Sequence, residues 1–166
     1  EKFARVLNDT YERGGKVIIP SFSVGRTQEV LYFLHELDLA GRIPRMPVYV
    51  DSPLSFNATE VYQLHPECFD QRMREIVQSR QTPFQSDNVH FTPGVAESKA
   101  LNADRTPMVI ISASGMCQVG RILHHLKNNI EDERNTVLIV GFMAQHTLGR
   151  RLVEGAETVR IFSEEY

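Results

Sequence analysis

Short runs of apolar residues recur along the chain, and a polar loop and then helical spacing follow each run. The runs lie at residues 16–20, 47–50, 108–111 and 136–140. Their β-branched residues do not alternate with polar ones, which is typical of strands buried on both faces of a parallel sheet. The repeated order of strand, loop and helix predicts an α/β fold: a three-layer αβα, Rossmann-like domain with a mostly parallel sheet.

Apolar residues at a spacing of three to four predict the helices between these strands. Helices are expected over residues 2–13, from loop one to about residue 41, over 95–101, and after loop three. A helical pattern over residues 55–80 contains Pro66, which should divide it into two helices. Short additional strands are expected at residues 89–91 and 159–162.

The predicted strands end in loops rich in serine, threonine, glycine, glutamine and arginine. Loop one is Pro20–Arg26, loop two Asp51–Ser55, loop three Ser112–Gly115 and loop four Gly141–Arg150. In open α/β sheets, ligands bind outside the carboxyl ends of the strands. We therefore expect one polar groove, here called the strand-end groove. The alternative is that these small residues serve only the tight turns between strands and helices.

Arginines lie at the end of three of the loops or shortly after it, at positions 26, 121 and 150. A guanidinium group at a helix N-terminus suits a phosphate, and Gly115 in loop three is free to take a positive φ. The competing interpretation is that each arginine pairs with a nearby carboxylate, such as Glu29 beside Arg26, and only holds its loop in shape.

Composition limits the classes of function. The 166 residues suit one domain, and the net charge of −3 gives no global basic field, so any polyanion site must be local. Cys68 and Cys117 lack CxxC spacing, which favours two reduced thiols over a zinc knuckle or a disulfide. No apolar run approaches the roughly 20 residues that cross a bilayer, so we expect a cytoplasmic protein without a membrane partner.

Catalytic motifs are weak. Ser23 lies in a segment resembling a GxSxG nucleophile elbow, but Ser21 replaces the first glycine. His124 and His125 are adjacent, and neighbouring residues on a helix point about 100° apart, so a core or solvent-edge pair is favoured over a metal site. Walker and GxGxxG motifs are missing from the sequence. The residues predict a binding groove without a catalytic centre, and a small phosphorylated ligand or nucleotide is one candidate occupant.

Four segments together resemble one known family. They are PSFSVGRTQEVL at 20–31, PVYVDSPL at 47–54, VIISASGMCQVGRILHHLKNNIEDERNTVLIVGF at 109–142, and QHTLGRRL at 145–152. They closely resemble the β-CASP domain of metallo-β-lactamase-fold ribonucleases, the group that includes the endonuclease of messenger-RNA cleavage and polyadenylation. His146 stands where relatives often have glycine.

The resemblance implies that residues 1–166 are a single β-CASP domain taken from between the two halves of a metallo-β-lactamase domain. This expectation agrees with a chain that begins within a helical pattern without methionine. It also implies an RNA-binding cap over a site for two zinc ions held by flanking sequence, with no catalytic or metal-binding residue in this segment. RNA, the flanking domain and further copies in a homo-oligomer are the implied partners, and the segment alone should be inactive.

The strand-end loops supply the residues that we expect to contact RNA phosphates or sugars. Such contacts would position the strand without reading its sequence. The candidates are Ser21, Ser23, Arg26, Ser52, Ser112, Ser114, Gly115, Arg121, Gln145, Thr147 and Arg150.

Overall fold

The computed structural model describes residues 1–78 and 82–166. Its helices are Lys2–Glu12 (α1), Arg26–Leu39 (α2), Pro53–Leu64 (α3), Gln71–Gln78 (α4), Val95–Ala103 (α5), Arg121–Asn129 (α6) and Leu148–Val153 (α7), with a 3-10 turn at Pro66–Cys68. Its strands are Val17–Pro20 (β1), Val48–Asp51 (β2), Val89–Phe91 (β3), Val109–Ser112 (β4), Thr136–Val137 (β5), Arg160–Ile161 (β6) and Glu164–Glu165 (β7).

Five strands form one parallel sheet in the order β3-β2-β4-β1-β5. The central strand β4 pairs with β1 and β2, with Ile110 aligned to Ile18 on one side and Tyr49 on the other. The prediction that loops one and three lie on one edge of the sheet is confirmed, because their strands are parallel neighbours.

Alternate residues of the sheet face two separate cores. Val17, Ile19, Val109 and Ile111 pack in the cluster that contains residues of α1, α2 and α4. Ile18 packs with α6 through Ile122 and Leu126, while Ile110 packs with Leu101 of α5. Since helices cover both faces, the predicted three-layer αβα fold is confirmed.

The helical region after β2 follows its local sequence closely. α3 begins at Pro53, two residues earlier than the pattern predicts, because the Ser52 hydroxyl accepts a hydrogen bond from the Ser55 amide at 3.2 Å and proline fits the first helical position. The expected break at Pro66 is present. α4 is described as far as Gln78, and the predicted end at residue 80 lies outside the described residues.

Two predicted strands differ from the structure. β5 covers two residues rather than the five predicted, although the Leu138 amide still donates to the Ile18 carbonyl at 2.8 Å. β5 is an outermost strand of the sheet, so it has β1 as its single neighbouring strand. The strand predicted at 159–162 is the first half of a hairpin, β6 and β7, whose turn residues Phe162 and Ser163 have φ of 50° and 69°.

Within the two described ranges, no helix is both long and apolar enough to cross a membrane.

Candidate functional site

The carboxyl ends of β1, β2, β4 and β5 lie on one edge of the parallel sheet, and loops one to four leave from this edge. Two clefts open there. The first, of about 200 Å³, lies between loops one, three and four and has Phe22, Arg26 and Phe142 in its walls. We call it the aromatic cleft. The second, of about 360 Å³, lies between loops two and three and includes Ser114 and Arg121.

The hydroxyl groups of loops one and two point into the protein. Ser23 Oγ lies 3.1 Å from Ser52 Oγ, so the two loops are joined directly. Ser21 Oγ lies 3.1 Å from the hydroxyl of Thr27. These three serines are buried. Their observed bonds fix the shape of the groove, and a direct phosphate contact by any of them stays a prediction.

Loop three is also closed by its own side chains. Ser112 Oγ donates to the Asp51 carbonyl at 3.0 Å, and Ser114 Oγ accepts from the amides of Gln118 and Val119 at 3.2 and 3.4 Å. Gly115 is free to take a positive φ but does not have one. A glycine is needed there for close approach, because a Cβ would lie 2.8 Å from the Phe22 ring and 2.9 Å from its amide nitrogen.

Loop four ends in the N-cap of α7. Thr147 Oγ1 accepts from the Arg150 amide at 3.1 Å and donates to the Ala144 carbonyl at 2.7 Å. Gln145 is exposed, and Arg150 pairs with Glu154 at 2.6 Å. His146 has a φ of 64°, in the left-handed region that favours glycine, which explains physically why glycine suits this position.

Arg26 is the ionisable residue of the aromatic cleft. Its side chain is 41% exposed and forms an ion pair with Glu29, one helical turn away, at 2.6 Å. The observed contact of Arg26 is therefore the pair with Glu29 that the sequence offered as the competing interpretation. Because exposed pairs of this kind are typically worth about 0–1 kcal/mol, they leave the guanidinium group available to a stronger anion.

Arg121 has a different environment. Its side chain is only 20% exposed, and Nη1 donates to Asp51 Oδ1 at 2.7 Å. Nη1 also lies 2.6 Å from the Thr92 carbonyl, and Nη2 donates to the Pro93 carbonyl at 2.8 Å. These contacts join α6 to β2 and to the segment after β3. Arg121 therefore has a structural partner in the fold, whereas its predicted phosphate contact has no direct support from these bonds.

Asp51 lies at the centre of a buried charge cluster. Its side chain is fully buried and accepts hydrogen bonds from Thr92, Ser98 and His125 as well as Arg121, at 2.5 to 2.7 Å. Burial alone would raise the pKa of this carboxyl group, but the hydrogen bonds outweigh it and lower the pKa to about 2. Asp51 is thus a carboxylate at neutral pH and balances the positive charge of Arg121.

The hydrogen-bond chain beyond Asp51 continues through His125 to the side chains of Asn102, Asn129 and Lys16. Lys16 Nζ can only donate, so Asn129 Oδ1, at 3.2 Å, must accept. Asn129 Nδ2 then donates to Asn102 Oδ1 at 3.0 Å. The same oxygen faces His125 Nδ1 at 2.9 Å, and Asp51 Oδ2 faces His125 Nε2 at 2.6 Å. Both ring nitrogens of His125 therefore lie next to hydrogen-bond acceptors.

The sequence reasoning missed this cluster. It placed the pair His124 and His125 in the core or at its edge, and took only Ser52 from the start of loop two. His125 is indeed fully buried, while His124 stacks on Phe162 at 4.7 Å between ring centroids. The available signal was a carboxylate directly after a buried strand. Its partners lie up to 74 residues away, which no local spacing reveals.

The metal-binding residue types are dispersed. In the described ranges, no group of three or more histidine, cysteine, aspartate or glutamate side chains could hold a metal ion. Both cysteines are free, with Cys68 exposed and Cys117 buried. Burial raises the pKa of the Cys117 thiol to about 12, so it stays protonated.

Known proteins resemble this chain over most of its length. A family model described as the Beta-Casp domain matches residues 27–152. The chain is 37% identical over 164 residues to "Ribonuclease TTHA0252" of Thermus thermophilus, which covers 99% of this chain and 38% of that protein. It is 33% identical over 159 residues to the "RNase J-like protein" of Methanocaldococcus jannaschii, covering 96% of this chain and 36% of that protein.

A third relative has a different name. The chain is 37% identical over 151 residues to "Transcription termination factor FttA" of Methanosarcina mazei, covering 90% of this chain and 24% of that protein. The chain thus spans 38% or less of the length of these three relatives. The family match extends over more than half of the chain. It agrees with the four loops that leave the carboxyl ends of the parallel strands. The chain belongs to the Beta-Casp domain family.

Proposed function

We propose that this domain binds single-stranded RNA in the strand-end groove and positions it for phosphodiester hydrolysis by a ribonuclease of which it is one part. The observation that carries this proposal is the convergence of loops one to four on one edge of the sheet. The names of the Thermus and Methanocaldococcus relatives support a ribonuclease.

The candidate residues divide by exposure. Arg26, Gln145 and Arg150 reach solvent on loops one and four and would contact phosphate or sugar directly. Arg121 lines the second cleft and is partly exposed, but Asp51 balances its charge, so a phosphate there would compete with that ion pair. The buried hydroxyls of loops one to three and the N-cap Thr147 would act by holding the loops in place.

The catalytic metal would belong to flanking sequence. The described residues do not fit a zinc site, because their potential ligands do not cluster. A flanking metallo-β-lactamase-fold domain, with two zinc ions, is therefore part of the proposal and would be the intramolecular partner of this domain. We expect the isolated chain, purified without a metal-binding tag, to contain no stoichiometric zinc; about one tightly held zinc per chain by elemental analysis would contradict this.

The experiment replaces one arginine in the groove and one outside it. Arg26→Ala in the protein that contains this domain should weaken RNA binding similarly across sequences. It should also flatten the dependence of log Kd on log salt by about one unit, because one phosphate contact is lost. Arg45→Ala is the matched control, because Arg45 is also exposed (66%) and also pairs with a carboxylate, that of Asp87. Arg45 precedes β2 and therefore lies near the amino ends of the strands, opposite the groove.

Unchanged binding and salt slope in Arg26→Ala would remove the phosphate assignment of this residue. An equal loss in Arg45→Ala would indicate a diffuse charge effect instead of a groove. Saturable binding of mononucleotides, independent of RNA length, would favour the small phosphorylated ligand that the sequence left as an alternative.

A further inference from the structure

The aromatic cleft contains two phenylalanines whose exposure the fold does not explain. Phe142 in loop four is 75% exposed and Phe22 in loop one is 51% exposed. Burial of a phenylalanine side chain is typically favourable by about 1.5–3 kcal/mol, so exposure of two rings at one site forgoes stability. Exposed apolar groups gathered at one cleft indicate a binding surface.

Other exposed phenylalanines differ from these two. Phe33, Phe56 and Phe162 each pack against a neighbouring aromatic ring, with centroid separations of 5.5, 5.5 and 4.7 Å. In the described part of the chain, Phe22 and Phe142 have no such ring partner. Both rings keep exposed surface that a planar group from outside the domain can reach.

The surroundings of the two rings favour a nucleotide. Arg26 is the charged residue of the cleft, and its Nε lies 3.9 Å from the position of a Cβ on Gly141, next to Phe142. Phe22 is held in place by close packing against Gly115. Single-stranded nucleic acids are bound by this combination of cationic groups and stacking aromatic rings. A cleft of about 200 Å³ is smaller than pockets for drug-sized ligands, roughly 300–1,000 Å³, and suits one base.

We propose that the aromatic cleft holds one unpaired base of the RNA strand, stacked on Phe142 and Phe22, with an adjacent phosphate at Arg26. This inference rests on the proposed function and adds a base-binding subsite to it. Because every base has a π face, the subsite tolerates any sequence but requires a base at one fixed position of the strand.

The test measures RNA binding by the protein that contains this domain. The probes are single-stranded oligoribonucleotides in which one nucleotide at a time is replaced by an abasic residue. With the unsubstituted protein, one position should stand out by weaker binding. Phe142→Ala should raise the Kd for the intact strand roughly 5- to 150-fold, the range for loss of one stacked base, and should abolish the penalty at that abasic position.

Matched variants separate stacking from other effects. Phe142→Trp should retain tight binding, because the larger ring still stacks. Phe33→Ala removes another exposed ring, 48% exposed and on α2, and should leave the Kd unchanged. Phe142 is mostly exposed, so its replacement should leave thermal stability unchanged.

Each contrary result has its own meaning. If Arg26→Ala alters the salt slope but Phe142→Ala changes neither the Kd nor the abasic profile, RNA binding stands and the base subsite is wrong. If Phe142→Ala mainly lowers thermal stability, a protein surface covers the ring and the subsite is again overturned. If the unsubstituted protein does not bind RNA, the proposed function fails and the base subsite fails with it.

Discussion

The tripeptide Val-Gly-Arg occurs twice at the strand-end groove, at residues 24–26 and 119–121, and the two copies have different roles. In both, the glycine has a positive φ, 84° and 88°, and the arginine begins a helix. Arg26 pairs with an exposed glutamate on its own helix. Arg121 pairs with the buried carboxylate of Asp51. Similar local sequence gives similar starts of helices, whereas the environment decides whether the arginine is available to a ligand.

Close packing accounts for the difference between the two copies. A Cβ on Gly25 would meet no atom within 4 Å, whereas a Cβ on Gly120 would lie 2.7 Å from the Ala113 carbonyl oxygen. The backbone of the second copy is therefore packed closely against loop three, whereas that of the first has open space beside its glycine. An open arginine suits ligand binding, and an enclosed one suits the support of the loops around it.

The largest expected effect follows removal of the Asp51 carboxylate, which pairs with the arginine of the second Val-Gly-Arg copy. Asp51→Ala leaves Arg121 without its counter-ion and the buried ring of His125 without its carboxylate partner, and should lower the free energy of unfolding of the domain by about 3–5 kcal/mol. Chemical denaturation measures this loss. Asp87→Ala, which breaks an exposed pair with Arg45, is the control and should cost less than about 1 kcal/mol.

The two arginines themselves provide the direct comparison. Arg121→Ala should lower the free energy of unfolding by about 3 kcal/mol, near the lower end for a broken buried pair, because His125 still faces Asp51. Arg26→Ala should change it by about 0–1 kcal/mol. Equal losses in the two variants would show that the environments of the two copies are energetically alike and would refute the comparison.

The two glycines should differ as well. Alanine at Gly25 or Gly120 meets a positive φ, which costs about 1–3 kcal/mol for a residue with a side chain. Gly120→Ala should cost about 1–3 kcal/mol more than Gly25→Ala, because its methyl group also collides with the Ala113 carbonyl. Thermal denaturation of the pair tests this difference, and identical melting temperatures would contradict it.

Low pH should remove the stabilisation that the Asp51 carboxylate gives to the folded domain. Its pKa is about 2 in the folded protein against 3.8 for the free group, so folding favours the ionised form. The resulting stability, about 2 kcal/mol, is fully present above pH 3.8 and is lost as the pH falls through 2. Between pH 5 and about 2, the free energy of unfolding should fall less steeply with decreasing pH in Asp51→Asn than in the original protein. Parallel curves of this free energy against pH would argue against a lowered pKa.

The edge of the sheet from which the loops leave could be predicted from the sequence, but the contacts of the individual side chains could not. The order of strands, loops and helices was readable because periodicity and turn residues act over a few positions. That reading correctly placed loops one and three on one edge of the sheet. The inward orientation of Ser21, Ser23 and Ser52 was not readable, because a hydroxyl group turns towards whichever partner the fold brings near it.

The sequence by itself determined the parallel αβα fold, the family and the edge of the sheet from which loops one and three leave. Only the tertiary structure decided that Arg121 is held by Asp51, that His125 is buried beneath it, and that Phe22 and Phe142 share one cleft. Secondary structure follows from contacts within a few residues. These partners are separated by 70 or more residues, and only the packing of α5 and α6 against the sheet brings them together.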